Sequence, residues 1–154
     1  MMERTLVLIK PDGLQRGLVG EVTRRLEQKG LKLVGNKMMR LSDTLLKEHY
    51  AHIADKPFFP GVKTFMMSAP VIAQCWEGVE AVETVRTIAG VTNARKAGAG
   101  TIRGDLAMSL QSNVVHASDS LETARVEVPR FFKKDELFEW DMTRIEHLYA
   151  EGEA

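Results

Sequence analysis

Residues 113–120 (NVVHASDS) have the residue types and spacing that chemistry on a phosphate group requires. Two β-branched residues before the histidine predict the end of a buried strand, and Asp119 with Glu122 three residues later predicts the capping start of a helix. His116 would then stand between a strand end and a helix N-terminus, which favours binding of an anion. Because neutral imidazole is already a nucleophile near pH 7, we expect phosphate chemistry on His116.

Positive charge for such a site must come from dispersed residues. The chain lacks the glycine-rich loop G-x-x-x-x-G-K-[ST], and residues 98–101 (GAGT) are too short to form it. Lys10, Arg86 and Arg103 are candidates to bind phosphate, although each taken singly is more typical of a solvated surface charge. Lys10 is the strongest candidate because it interrupts an apolar strand just before a rigid turn, on the same sheet edge as His116.

Phe58 and Phe59 lie between two prolines in a stiff loop. In an extended segment neighbouring side chains point in opposite directions, so one ring can anchor the loop while the other stacks on a base. Without further information, anchoring of both rings in the core is the favoured interpretation.

Other candidate ligands and nucleophiles are weaker. His49 and His52 have the i, i+3 spacing of a metal-binding pair, but no third ligand follows at a usual zinc spacing, so we interpret them and His147 as packing or surface residues. Cys75, the single cysteine, stands in an apolar run and is interpreted as a core residue.

Composition restricts the class of protein. The 154 residues include 44% hydrophobic and 27% charged residues, as expected for one globular domain over residues 1–154. The 21 basic residues balance the 21 acidic ones, which gives no support for nucleic-acid binding. One cysteine fits a reducing compartment, and no segment resembles a signal peptide or membrane span, so we expect a cytoplasmic protein.

The elements that position these residues follow from hydrophobic periodicity. Strands are predicted at 5–9, 31–39, 70–76 (ended by Gly78) and 113–115, and residues 10–13 are predicted to form a turn. Helices are predicted from 18 to a stop at Gly30, from a Ser42 cap to about 53, and at 62–67, 80–89, 120–130 and 134–138, with a loop at 90–100. This order predicts an α/β (α+β) ferredoxin-like split βαβ fold, a four-stranded antiparallel sheet with added helices; a doubly wound α/β fold is the alternative.

The chain resembles the nucleoside diphosphate kinase family from about Glu3 to Tyr149. Residues 113–119 match the family's active-site signature N-x-x-H-x-S-D. The other matching blocks are residues 9–13 (IKPDG), 15–20 (QRGLVG), 49–50 (HY), 56–61 (KPFFPG), 76–78 (WEG) and 100–105 (GTIRGD).

This resemblance implies a ping-pong reaction in which His116 takes the γ-phosphate of a nucleoside triphosphate and passes it to a nucleoside diphosphate. It implies that Glu127 holds the other imidazole nitrogen and that Ser118 positions this pair. Lys10, Arg86, Arg103, Thr92 and Tyr50 would bind the phosphates, Asn113 the sugar, and Phe58 with Val62 the base. Stacking reads no base edge, so purines, pyrimidines, ribose and deoxyribose should all be accepted. Mg²⁺ would arrive on the nucleotide phosphates without a protein side-chain cage.

Two departures from the family pattern concern assembly. Ala94 and Ala99 stand where the family usually has proline, which loosens the loop at 90–100 that supports subunit contacts. The long C-terminal segment resembles that of hexameric members more than that of tetrameric ones, so a homohexamer is expected. Two alternative functions stay open at this point: a binding module that has lost catalysis, and an oligomeric regulator that binds nucleic acid or partner proteins.

Overall fold

A four-stranded antiparallel sheet with strand order β2-β3-β1-β4 organises the computed structural model, which describes residues 1–154. The strands are β1 (Met2–Ile9), β2 (Lys32–Met39), β3 (Val71–Val79) and β4 (Val115–Ala117). Every strand pairing is antiparallel, which confirms the ferredoxin-like prediction. The doubly wound alternative is wrong, because that fold requires parallel strands joined by crossover helices.

Helices cover both faces of the sheet. They are α1 (Pro11–Gln15), α2 (Val19–Lys29), α3 (Asp43–His49), α4 (Phe59–Met66), α5 (Ala81–Ala89), α6 (Ile102–Leu106) and α7 (Leu121–Phe131). Short 3₁₀ segments lie at Ala94–Lys96, Lys134–Glu136 and Ile145–His147. None of the helices is long and apolar enough to cross a membrane.

Alternation along β1 divides the core into two layers. Val7 and Ile9 face α2, α5 and α6, whereas Leu6 and Leu8 face α3, α4 and α7. His116 is the register partner of Leu8, so its side chain emerges on the face covered by α3, α4 and α7. The core layer that contains Leu6 and Leu8 therefore brings β4 and α7 together at His116.

Two predicted helix ends are confirmed by their capping geometry. Gly30 closes α2 with a left-handed φ of 112°, a conformation that a side chain would disfavour. Ser42 caps α3 by accepting a hydrogen bond from the Leu45 backbone N–H at 3.1 Å.

The predicted bounds around His116 are wrong. β4 begins at Val115, so His116 lies inside the strand and not after its end. The cap of α7 is Ser120, whose Oγ accepts from the Thr123 backbone N–H at 3.0 Å, and Asp119 stays outside the helix. Both errors arise because short strands and helix starts shift by one or two residues without changing the hydrophobic pattern.

Other local predictions also need correction. The turn expected at 10–13 is the first part of α1, and the helix expected to reach residue 53 ends at His49. β3 continues through Gly78 to Val79, because antiparallel pairing with Met2 and Glu3 extends it. α4 starts at Phe59, three residues before the predicted start, and the predicted loop at 90–100 contains a 3₁₀ turn. The sequence did not predict α6 at all. Such short helices contain too few residues to show a clear hydrophobic period.

Candidate active site

An open cleft of about 620 Å³ lies where α3, α5, β4 and α7 meet. It is lined by five of the residues expected to act on the nucleotide, namely Tyr50, Arg86, Thr92, His116 and Glu127. The cleft also has an acidic side formed by Glu48, Asp119 and Glu122. Chemistry-bearing residues that are distant in the sequence are thus brought to one concave surface, the usual location of an active site.

His116 presents its two ring nitrogens to different surroundings. Its Nε2 lies 3.1 Å from Glu127 Oε2 and 3.3 Å from Glu127 Oε1, whereas Nδ1 makes no hydrogen bond within the chain. An ionised carboxylate can only accept, so Nε2 carries the proton and Nδ1 keeps its lone pair. The side chain is 22% exposed, which leaves Nδ1 accessible from the cleft as a nucleophile.

Ser118 fixes the carboxylate that holds His116. The Ser118 hydroxyl donates to Glu127 Oε1 at 2.6 Å and accepts from the Leu6 backbone N–H at 3.3 Å. Burial raises the pKa of Glu127. The hydrogen bond and charge of His116, together with the hydrogen bond from the Ser118 hydroxyl, lower it by more, so the pKa of Glu127 lies below its ordinary value. The carboxylate therefore stays ionised inside the protein.

Lys10 is buried beside the end of β1. Its ammonium donates to the Gln111 carbonyl at 2.6 Å and to Asn113 Oδ1 at 2.8 Å. Burial lowers the pKa of Lys10 to about 8, Asp12 opposes this shift, and Arg103 adds to it. Lys10 is not among the residues that line the cleft, but its ammonium has three N–H groups and uses two of them in these contacts, which leaves one for a phosphate.

Arg103 and Arg86 differ in exposure. Arg103 is buried and donates to the carbonyls of Gly90 and Val115, each at 2.7 Å, while its Nε has no partner. Burial and then the charge of Arg86 lower the pKa of Arg103 to about 10. Arg86 is exposed and lines the cleft. The basic residues repel one another, and an anion placed among them would relieve that repulsion.

Asn113 uses its amide inside the protein. Besides accepting from Lys10, it donates to the Thr92 and Leu110 carbonyls at 2.9 and 3.1 Å. The next residue, Val114, has a φ of 74°, and Asp12 Oδ2 accepts its backbone N–H at 2.9 Å. A β-branched residue in this region is strained, and strained backbone of this kind is concentrated at functional sites.

The two phenylalanines of the stiff loop lie in opposite environments. Phe58 is 58% exposed and Phe59 is 4% exposed in the core. Anchoring of both rings, which the residues alone favoured, is therefore wrong, and the outward Phe58 is available for stacking. Val62 is half-buried one turn further along, in α4.

Tyr50 lies at the C-terminal end of α3, on the cleft. Its hydroxyl makes no hydrogen bond within the chain, and burial together with Glu127 raises its pKa to about 12. Tyr50 is therefore a neutral hydrogen-bond donor at physiological pH.

His49 and Arg130 also belong to the site, although the residues around them in the sequence predict no role for either of them there. His49 is buried, its ring centroid lies 4.6 Å from that of His116, and Arg130 donates to its Nδ1 at 3.1 Å. The available signal was the spacing of Glu127 and Arg130, which are three residues apart and share one face of α7.

Only one group of three donors is arranged as a metal centre would require. Ligand atoms of His49, His116 and Glu127 lie within 4.8 Å of one another, and His52 is outside this group. Its nitrogen-rich donor set suits transition metals, whereas Mg²⁺ prefers oxygen ligands. The Arg130 guanidinium also occupies His49 Nδ1. This group therefore does not have the donor set that Mg²⁺ prefers.

Comparison with known proteins identifies the family of this chain. Residues 3–137 match the family model described as nucleoside diphosphate kinase. A nucleoside diphosphate kinase from Parabacteroides distasonis is 56% identical over 152 residues, 99% of each chain, and nucleoside diphosphate kinase B from Bos taurus is 46% identical over 147 residues, covering 96% of this chain and 97% of that one.

A solved structure agrees with these relatives. The nucleoside diphosphate kinase of Halobacterium salinarum in complex with CDP superposes with a TM-score of 0.94 at 47% identity, covering 97% of this chain and all of the other. The chain therefore belongs to the nucleoside diphosphate kinase family and is an enzyme that transfers phosphoryl groups between nucleotides.

Proposed function

We propose that His116 Nδ1 carries the phosphoryl group in a ping-pong reaction. Nδ1 attacks the γ-phosphorus, the nitrogen–phosphorus bond forms as the bond to the bridging oxygen breaks, and that oxygen leaves on the nucleoside diphosphate with the electron pair. The reverse step delivers the group to a second nucleoside diphosphate. The observation that carries the proposal is the Glu127 carboxylate on Nε2, which keeps the lone pair on the nitrogen that faces the cleft.

The basic residues supply the charge that phosphoryl transfer needs. Arg86 on the cleft and the buried Lys10 and Arg103 behind it would bind the phosphates, with the hydroxyls of Thr92 and Tyr50 as further donors. Catalysis of phosphoryl transfer depends mainly on in-line positioning and on stabilising negative charge on the equatorial oxygens. The mutual repulsion of these cations favours a polyanionic substrate over a neutral one.

Nucleoside binding would rely on contacts that read no base edge. The exposed Phe58 ring would stack on the base, with Val62 beside it. Both N–H groups of the buried Asn113 are used inside the protein, so it would bind a sugar hydroxyl through the second lone pair of Oδ1. Because Asn113 also holds Lys10, sugar and phosphate binding would be coupled through one amide. Stacking without edge recognition supports broad specificity for bases and for ribose or deoxyribose.

Mg²⁺ would bind with the nucleotide, where it neutralises phosphate charge. The carboxylates on the cleft that are not committed to His116 are Glu48, Asp119 and Glu122, and all three are exposed. Such side chains can accept hydrogen bonds from water bound to the ion, which fits a site completed by phosphate oxygens.

A homohexamer is the proposed assembly. β2 is an eight-residue edge strand that pairs only with β3, and Met38 on it is 62% exposed. The C-terminal segment covers the first part of this edge, where Phe138 N–H and Trp140 Nε1–H donate to the Val34 and Leu33 carbonyls. The uncovered part around Met38 is a template for association with another chain, which supports self-association. Light scattering after gel filtration would distinguish a hexamer from a tetramer, a dimer and a monomer.

The proposed reaction is tested by mixing the protein with γ-labelled ATP and Mg²⁺ without acceptor. We expect label that is lost in acid, is stable in base, and is discharged by any nucleoside diphosphate. His116→Ala should abolish labelling while it retains nucleotide binding, and His147→Ala, which changes an exposed histidine, should be labelled normally. Label that persists in His116→Ala would refute the assignment of the nucleophile.

A further inference from the structure

A buried arginine–histidine pair adjoins the proposed catalytic pair. Arg130 Nη1 lies 3.1 Å from His49 Nδ1, and the Arg130 side chain is 14% exposed. The His49 side chain is 1% exposed, and its ring meets those of His116, Tyr50 and Phe131 edge to face. Nothing in the reaction described above uses either residue.

The geometry sets the protonation of His49. Guanidinium is a hydrogen-bond donor only, so His49 Nδ1 must be the acceptor and must carry no proton. A neutral His49 then carries its proton on Nε2, which has no hydrogen-bond partner in the protein. A ring nitrogen that faces a permanent cation is also a poor place for a second positive charge.

Without Arg130, His49 could compete with His116 for a hydrogen bond to Glu127. Its Oε2 lies 3.1 Å from His116 Nε2 and 3.5 Å from His49 Nδ1. If His49 Nδ1 carried a proton, it could donate to the same carboxylate oxygen as His116. The hydrogen bond that orients the nucleophile would then be shared between two imidazoles and weakened.

We propose that Arg130 is a positioning residue that occupies His49 Nδ1 and thereby reserves the Glu127 carboxylate for His116. This inference rests on the proposed reaction at His116. Arg130 acts through His49: although it lines the cleft, it makes a hydrogen bond to His49 Nδ1 and none to His116.

The charged and titratable groups around His49 determine its protonation state. Burial and then the charge of His116 lower the pKa of His49, Glu127 opposes the shift, and Arg130 and His52 add smaller lowering contributions, so that the pKa is about 3. Glu48 lies next to His49 in α3 and 3.4 Å from Arg130 Nε, and Tyr50 follows on the other side. Removal of Arg130 takes away one of the smaller contributions and leaves burial in place, so His49 stays neutral near pH 7. The change we expect is in its tautomer, because Nδ1 would then be free to carry the proton and to donate it to Glu127 Oε2, 3.5 Å away.

The test compares Arg130→Leu with the wild-type protein in two measurements. Nitrogen-15 NMR should find neutral His49 in the Nε2–H form in the wild type and in the Nδ1–H form in the variant at about pH 7. The rate of label transfer from γ-labelled ATP to the protein should fall roughly tenfold at that pH, the size expected for weakening one hydrogen bond to a charged group.

Three further variants separate this role from a structural one. Arg130→Lys keeps a donor and should recover most of the rate. Adding His49→Phe to Arg130→Leu removes the competing donor and should also recover it. Arg125→Leu, which changes an exposed arginine of the same helix that makes no ion pair, should behave as wild type.

Two outcomes would overturn the proposal: an unchanged labelling rate with an unchanged His49 tautomer in Arg130→Leu, or failure of the double variant to recover the rate. Failure of the wild-type protein to be labelled would instead refute the reaction at His116. The NMR measurement reports on the tautomer of His49 in either case.

Discussion

Glu127 and His116 face each other across the junction of α7 and β4, with Oε2 and Nε2 3.1 Å apart. The strand that carries His116 has only three residues, so its position depends on pairing with β1 and on the helix packed over it. The hydrogen bond thus joins the two elements that shape the cleft. It also determines which imidazole nitrogen is available to react, so the fold and the proposed chemistry depend on the same contact.

Replacing Glu127 by Gln should slow phosphorylation of His116 by about 10- to 1,000-fold. An amide retains the shape but loses the charge, and it can donate to Nε2 and so favour the tautomer in which Nδ1 carries the proton. Single-turnover labelling from γ-labelled ATP measures this rate. Glu27→Gln, which changes an exposed carboxylate on α2, is the matched control and should retain the wild-type rate. An unaffected Glu127→Gln would mean that the carboxylate has no role in orienting the ring.

Ser118→Ala should cost roughly 1–3 kcal/mol of folding free energy, because it leaves a buried carboxylate oxygen and the Leu6 N–H without their partner. The same change should slow labelling of His116 less than Glu127→Gln does, since the direct contact with His116 remains. Urea denaturation and single-turnover labelling give the two quantities. Ser120→Ala, at the exposed cap of α7, controls for helix stability, because it removes a cap without touching the carboxylate. A larger rate loss for Ser118→Ala than for Glu127→Gln would contradict this order.

Phe58→Ala should weaken nucleotide binding by about 1–3 kcal/mol for every base while leaving the free energy of unfolding nearly unchanged. The ring is 58% exposed, so its removal opens no cavity in the core. Its neighbour provides the contrast: Phe59→Ala should cost about 3–5 kcal/mol of stability, because that ring is buried. Calorimetric titration with purine and pyrimidine diphosphates, alongside urea denaturation, checks both. A loss confined to purines would argue against stacking without base recognition.

The sequence predicts the fold well wherever apolar periodicity is long. α2, with its glycine stop, and the three long strands follow from hydrophobic runs, although the same runs left a doubly wound sheet open as the alternative to the antiparallel one. Short elements are predicted poorly: α6 has five residues and β4 three, too few for a period to emerge.

The residues of the site also differ in how well the sequence predicts them. His116 could be identified because a nucleophile stands in a distinctive local motif, whereas the buried His49–Arg130 contact joins residues 81 positions apart that are unremarkable singly. The sequence could not predict the exposure of Phe58 either, since it does not show which of two adjacent aromatic residues in a loop turns inward.

Nucleotide binding should take up a proton near pH 8–9 through Lys10. Burial lowers its pKa in the free protein to about 8, against an ordinary value of 10.5, and a nearby phosphate would raise it again. Between about pH 8 and 10.5 the unfolded chain holds more protons on Lys10 than the folded chain does. Lys10 therefore makes the free energy of unfolding rise with pH over this range. Bound nucleotide should remove this rise, because it raises the pKa of Lys10 in the folded state. Calorimetric titration in buffers of different ionisation enthalpy measures the uptake, and Lys10→Met should abolish it. Lys29→Met, an exposed control, should not. Equal uptake in wild type and Lys10→Met would assign the proton to another group.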